Sequence, residues 1–107
     1  MPITWVAIDE RNGAVGAVGL GEFDIEERRD RSPWVSGMIV RPDRRGLGSG
    51  RLLLAHLEAW AEIHGFKQVW VEHEGPAISF YRTCGWDLSE TVERVSGESV
   101  SVLTKLL

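Results

Sequence analysis

The chain has 107 residues and a net charge of −4, with 43% hydrophobic and 26% charged residues. That length suits one domain, 1–107, able to bury a core without cross-links, and the acidic balance argues against a nucleic-acid binder. A lone cysteine, Cys84, excludes an internal disulfide and a CxxC redox or metal pair.

His56, His64 and His73 show no zinc-ligand spacing, so no metal is expected. Neither a basic-then-apolar leader nor an apolar run near the ~20 residues of a bilayer span is visible. A cytoplasmic protein without a membrane partner is the expectation. Five tryptophans in so short a chain predict a rigid aromatic core or a stacking pocket.

Thr4 to Ile8 is β-branched and aromatic, and Asn12-Gly13 after it is a hairpin signal. Ala14 to Phe23 reads as the returning strand, with glycines at 16, 19 and 21 that suggest a bulge or close backbone approach. Glu26 to Ser32 is a charged loop. Trp34 to Val40 is a mostly apolar, central strand that Pro42 closes.

From Gly48 to His64 the period becomes helical, with Leu53, Leu57, Trp60 and Ala61 on one face and Gly65 as the stop. Gln68 to Glu72 is a further strand, making one parallel crossover. Pro76 opens a short helix to about Cys84, ended by Gly85. Asp87 to Val95 and Ser99 to Leu106 pair across Ser96-Gly97. The fold class is α+β: a mixed, mostly antiparallel sheet in the order β-β-β-α-β-α-β-β, with one parallel strand pair and helices packed on it.

The stretch 41–51 carries the clearest chemistry. Arginines 41, 44, 45 and 51 surround glycines 46, 48 and 50 immediately before a helix. Glycines let backbone N–H groups approach a ligand, and the helix N-terminus adds partial positive charge. Arginines add charge-assisted bonds to phosphate oxygens. A glycine turn with solvated arginines is the plainer reading, and local spacing alone leaves both open. A P-loop is excluded because no lysine precedes Phe66. A dinucleotide fingerprint fails because Arg51 stands where its last glycine belongs.

Arg45-x-x-Gly48-x-Gly50, after Ile39-Val40-Arg41-Pro42 and before a leucine-rich helix, resembles the acyl-CoA motif of the GNAT N-acetyltransferases. Downstream, Ala77-Ile78-Ser79-Phe80-Tyr81 with Gly85-Trp86 is similar to that family's A-x-x-F-Y-x-x-x-G-F motif, with Trp as the final aromatic. The resemblance runs from about residue 5 to the C-terminus. It implies an acetyl-CoA-dependent N-acetyltransferase acting on a primary amine of a small molecule or protein by direct attack.

The resemblance also implies roles. Backbone groups of Ile39 and Val40 meet the pantetheine arm and acetyl carbonyl. Amides of Arg45, Gly46, Leu47, Gly48, Ser49 and Gly50, with Arg51, hold the pyrophosphate. Tyr81 protonates the departing thiolate, whereas without the motif it reads as a core aromatic. Glu74 falls where the family often has an asparagine touching the cofactor arm. Glu22, Glu72 and His73 lie near strand ends where the acceptor site is implied, and Glu72 is the catalytic candidate beside Tyr81.

The family pattern usually begins with a strand and two helices ahead of the hairpin that starts here at Thr4. The fold expected is therefore a GNAT fold lacking those elements, which commonly wall the acceptor site. A homodimer is a family-level expectation. Two alternatives follow: a non-catalytic acyl-CoA-binding or regulatory module, and a nucleotide-binding domain that uses the arginine-glycine loop.

Overall fold

The computed structural model describes residues 2–73, 75 and 77–107. The first hairpin pairs β1 (Pro2–Asp9) with β2 (Gly13–Gly21). Asn12-Gly13 does not make a two-residue turn. Residues 10–12 form the loop, and only Gly13 takes a positive φ, +70°. The Asp9 carboxylate sets this outcome by accepting the Arg11 and Asn12 N–H groups at 2.8 and 3.3 Å. A three-residue hairpin loop followed by a left-handed glycine is the common next-longest solution.

Next comes β3 (Trp34–Val40), antiparallel to β2 with a register shift at Gly19/Leu20. The expected bulge is there. A side chain at Gly19 would strike the Ser36 hydroxyl, so the glycine permits the approach. β2 ends at Gly21, short of the expected Phe23. The loop that follows contains one 3-10 turn, Glu26–Arg28.

α1 (Ser49–Ile63) leads to β4 (Gln68–His73), and α2 (Ala77–Thr83) leads to the hairpin β5 (Asp87–Glu93) and β6 (Ser99–Leu106). The sheet order is β1-β2-β3-β4-β6-β5, and only β3 and β4 run parallel. β6 thus inserts between β4 and β5. This placement keeps β4 paired along Gln68–His73 on one side while its other side opens toward β3.

Both helices cover one face. Leu53, Leu54, Leu57 and Ala61 of α1 meet Val18, Leu20, Val35, Val69 and Val71, with Tyr81 and Trp86 completing the cluster. The helix face expected from the period is the face buried. Of the five tryptophans, Trp34 and Trp86 are fully buried. The opposite face carries a second cluster of Ile25, Trp34, Val92, Val100 and Val102.

Ion pairs tie the 22–33 loop to β5 over this second cluster. Arg28 donates to both oxygens of Glu90 at 2.7 and 3.1 Å, and Arg31 donates to one of them. These bonds, Arg28's first, hold the Glu90 carboxyl down at about 2. An unfolded glutamate titrates near about 4.3. The stabilisation is therefore complete above that value and is lost as pH falls from about 4 to about 2. Glu90→Gln is expected to lower unfolding stability by about 1 kcal/mol at neutral pH. The gap to wild type should close as acid unfolding is followed down to about pH 2; a gap that ignores pH rejects this linkage.

Candidate active site

β3 and β4 touch in register at one point, Trp34 opposite Trp70, where the Trp70 N–H donates to Pro33 O at 3.2 Å. No further β3–β4 register pair follows among the described residues, so the strands part toward Val40 and His73. A cleft of about 680 Å³ fills the opening. Its lining comes from Met38–Val40, from the Arg44–Arg51 turn, and from His73, Ala77, Phe80 and Tyr81.

The strand edge offers unpaired backbone. Arg41 N–H donates to Val15 O at 2.8 Å, and Ile39 pairs with Ala17. By the alternation of an antiparallel ladder, the peptide groups of Met38 and Val40 then face the cleft. Val40 O accepts from Arg45 Nε at 3.2 Å, in keeping with that direction. Ile39 contributes its exposed side chain, while its peptide groups face β2.

The glycine turn presents the helix end. Gly48 is the N-cap at φ +87°, and no side chain caps the helix. Nothing lies within 4 Å of a Cβ built at Gly46 or Gly48, so the space beside the turn is open. The first helical bond of α1 is Leu52 N–H to Gly48 O, at 3.0 Å. The amides of Ser49, Gly50 and Arg51 therefore have no partner within the helix, which is the arrangement that receives an anion. A side chain at Gly50 would press on the Phe80 ring at 3.1 Å, so α1 and α2 approach closely across this glycine.

The four arginines divide into two pairs. Arg41 is bound to Asp43 and Arg44 to Asp9, each at 2.7 Å. Arg45 and Arg51 have no carboxylate partner among the described residues, and both line the cleft. Arg44 lines it too, and its Nε is buried without a hydrogen-bond partner. Leu47 is 65% exposed and is not among the lining residues.

Tyr81, on α2, also lines the cleft. Its side chain is 2% exposed, edge-on to Phe80 and to Trp86 with ring centres 5.4 Å away in both cases. Burial pushes its phenol up to about 12. Among the described residues it has no hydrogen-bond partner, and it is not one of the fully enclosed orphan atoms, so its hydroxyl opens to the cavity.

A smaller cavity of about 230 Å³ adjoins the cleft, lined by Asp24, Val35, Ser36, Gly37, Met38, Val71, Glu72, His73 and Tyr81. Met38, His73 and Tyr81 line both spaces. Of the three strand-end candidates, Glu72 faces the smaller cavity, His73 borders both, and Glu22 borders neither. Desolvation, then the charge of Asp24, pushes the Glu72 carboxyl upward. Asp24 is raised as well, chiefly by desolvation. Glu74 lies outside the described residues. Met38, Arg44 and Asp24 were not expected at the site. The arginine cluster around Arg44 was a signal for one of them, whereas Asp24 sits in a loop with no motif.

The family described as acetyltransferase (GNAT) domain matches residues 2–88. The chain belongs to the GNAT acetyltransferase family. No curated protein matches it. Among solved structures, the GNAT chain is similar to a Bacillus anthracis protein assigned as a streptothricin acetyltransferase, in complex with acetyl coenzyme A. The TM-score is 0.84 at 19% identity, over 99% of this chain and 62% of that one. Nourseothricin acetyltransferase gives 0.81 at 25% identity, over 98% and 65%. A ribosomal-protein-alanine N-acetyltransferase from Brucella melitensis gives 0.77 at 28% identity, over 97% and 68%. This GNAT chain thus spans about two thirds of the length of these proteins.

Proposed function

We propose that this GNAT domain transfers the acetyl group of acetyl-CoA to a primary amine of a small molecule or protein. The observation that carries the reading is a single cleft lined both by the open amides at the α1 N-terminus and by the enclosed Tyr81. The Bacillus anthracis neighbour holds acetyl-CoA, which supports the same ligand here.

Acetyl-CoA supplies an acyl group already activated as a thioester. Amides of Ser49, Gly50 and Arg51, with the Arg45 and Arg51 guanidiniums, suit its pyrophosphate. The Met38 and Val40 peptide groups suit the pantetheine arm and polarise the acetyl carbonyl. The amine nitrogen bonds to the carbonyl carbon as the C–S bond breaks. Tyr81 donates a hydrogen bond to the sulfur that leaves. His73, at the seam of the two spaces, takes the amine's proton, and Glu72, expected as a catalytic residue, precedes it on β4.

Acetyl-CoA at about 100 times its Kd should stabilise the fold by about 2.7 kcal/mol, read as a rise in Tm. Thiol release should follow with members of a primary-amine panel. No Tm shift and no thiol release overturns the reading. A shift without acetylation of any amine favours the non-catalytic acyl-CoA-binding module instead.

A further inference from the structure

The smaller cavity has a use that acetyl transfer alone does not require. We propose that Asp24 and Glu72 seat a second cationic group of the acceptor, so that the preferred substrates are diamines and related amines with a distal ammonium. This rests on the acetyl-transfer reading given above, and it names the substrate class.

Position is the first argument. Asp24 and Glu72 line the smaller cavity but not the cofactor cleft, whereas Met38, His73 and Tyr81 line both. The reacting nitrogen belongs at that shared seam, next to the thioester. The carboxylates then lie beyond it, at the reach of a short spacer. Val35, Val71 and Met38 between them give methylene groups an apolar surface.

Charge is the second argument. The cation acting on both carboxylates is Arg94. That guanidinium is already held by Glu27 at 3.4 Å, and the other Glu27 oxygen accepts the Val95 N–H at 2.7 Å. Asp24 and Glu72 also hydrogen-bond each other, so the pair holds one proton between them, and with Glu27 set against Arg94 one negative charge is left unmatched at the cavity. Both Asp24 and Glu72 are raised by desolvation, and a ligand cation relieves that penalty by pairing with the charged forms.

The Tyr81 hydroxyl is a further sign that this seam, where thioester and acceptor meet, receives a ligand. It is almost wholly enclosed, has no partner among the described residues, and lines the same cavity. Buried polar groups left open in this way are otherwise rare.

Putrescine and 4-aminobutanol differ only in a distal ammonium against a hydroxyl, so they make the test. Wild type should show a KM for putrescine about tenfold below that for 4-aminobutanol. Asp24→Asn should raise the putrescine KM about tenfold while leaving the 4-aminobutanol KM and acetyl-CoA affinity unchanged. Asp24→Glu should restore the preference. Equal KM values in wild type, or a putrescine KM indifferent to Asp24→Asn, overturns the proposal.

If neither amine is acetylated although acetyl-CoA binds, the transfer reading fails by itself. The seat is then decided by calorimetry of putrescine into the CoA-bound protein. Binding that Asp24→Asn abolishes upholds the seat, and absence of binding overturns it.

Discussion

Phenylalanine in place of Tyr81 is expected to lower kcat by about 100-fold while leaving acetyl-CoA affinity within about twofold. The ring is packed edge-on to Phe80 and Trp86 and is fully buried, so Tyr81→Phe keeps the packing and removes one oxygen. That oxygen opens to the cleft without a partner among the described residues, so its loss leaves no protein group unpaired. The effect should fall on the step in which charge gathers on sulfur.

The expected role was full proton donation, and the phenol's environment narrows it. Burial lifts the phenol to about 12, whereas a free thiol titrates near about 8.5. Complete transfer from Tyr81 to the thiolate is thus uphill by about 3 to 4 pH units, or about 4 to 5 kcal/mol. Tyr81 does better as a hydrogen-bond donor that keeps its proton while the C–S bond breaks. Its raised value also means that it stays protonated across the working range. An alkaline loss of kcat/KM with a midpoint below about pH 10 should persist in Tyr81→Phe; its disappearance in the variant would assign that titration to Tyr81.

What was legible in the sequence follows from how local each signal is. The Arg45–Gly50 turn and the Phe80-Tyr81 helix are written in contiguous residues and, Leu47 apart, they line one cleft. The α1 face was legible because Leu53, Leu57 and Ala61 repeat at the helical period and are buried. The first hairpin was legible in Asn12-Gly13, while its three-residue loop depends on bonds from the Asp9 carboxylate. Non-local geometry was the harder part. That β6 lies between β4 and β5 depends on strand pairing across the whole chain. The arginines looked equivalent in sequence, and only folding commits Arg41 and Arg44 to Asp43 and Asp9. Asp24 reaches Glu72 through a loop, with no spacing that could announce it.

The whole site hangs on where β3 and β4 stop touching, and Trp34 fixes that point. Trp34→Ala is expected to reduce unfolding stability by about 3 to 5 kcal/mol. The ring is 0% exposed and packs with Ile25, Val92, Val100 and Val102, with its centre 6.3 Å from that of Trp70. Its Nε1 donates to Arg31 O at 2.8 Å, so truncation also leaves that carbonyl without its donor. Against a typical total of about 5 to 15 kcal/mol, such a loss is a large share. Urea unfolding followed by circular dichroism measures it, and a loss below 1 kcal/mol sinks the assignment. Trp34→Phe separates packing from register. It keeps much of the buried ring and loses the indole donor together with the rest of the bicycle, so it should lose about 1 to 2 kcal/mol. Acetyl-CoA should bind this milder variant, because the Trp34–Trp70 contact that ends the pairing persists while the cleft beyond it is unchanged. A stable Trp34→Phe protein that no longer binds acetyl-CoA would place the control of the splay in the indole's bond to Arg31 and not in the packed pair.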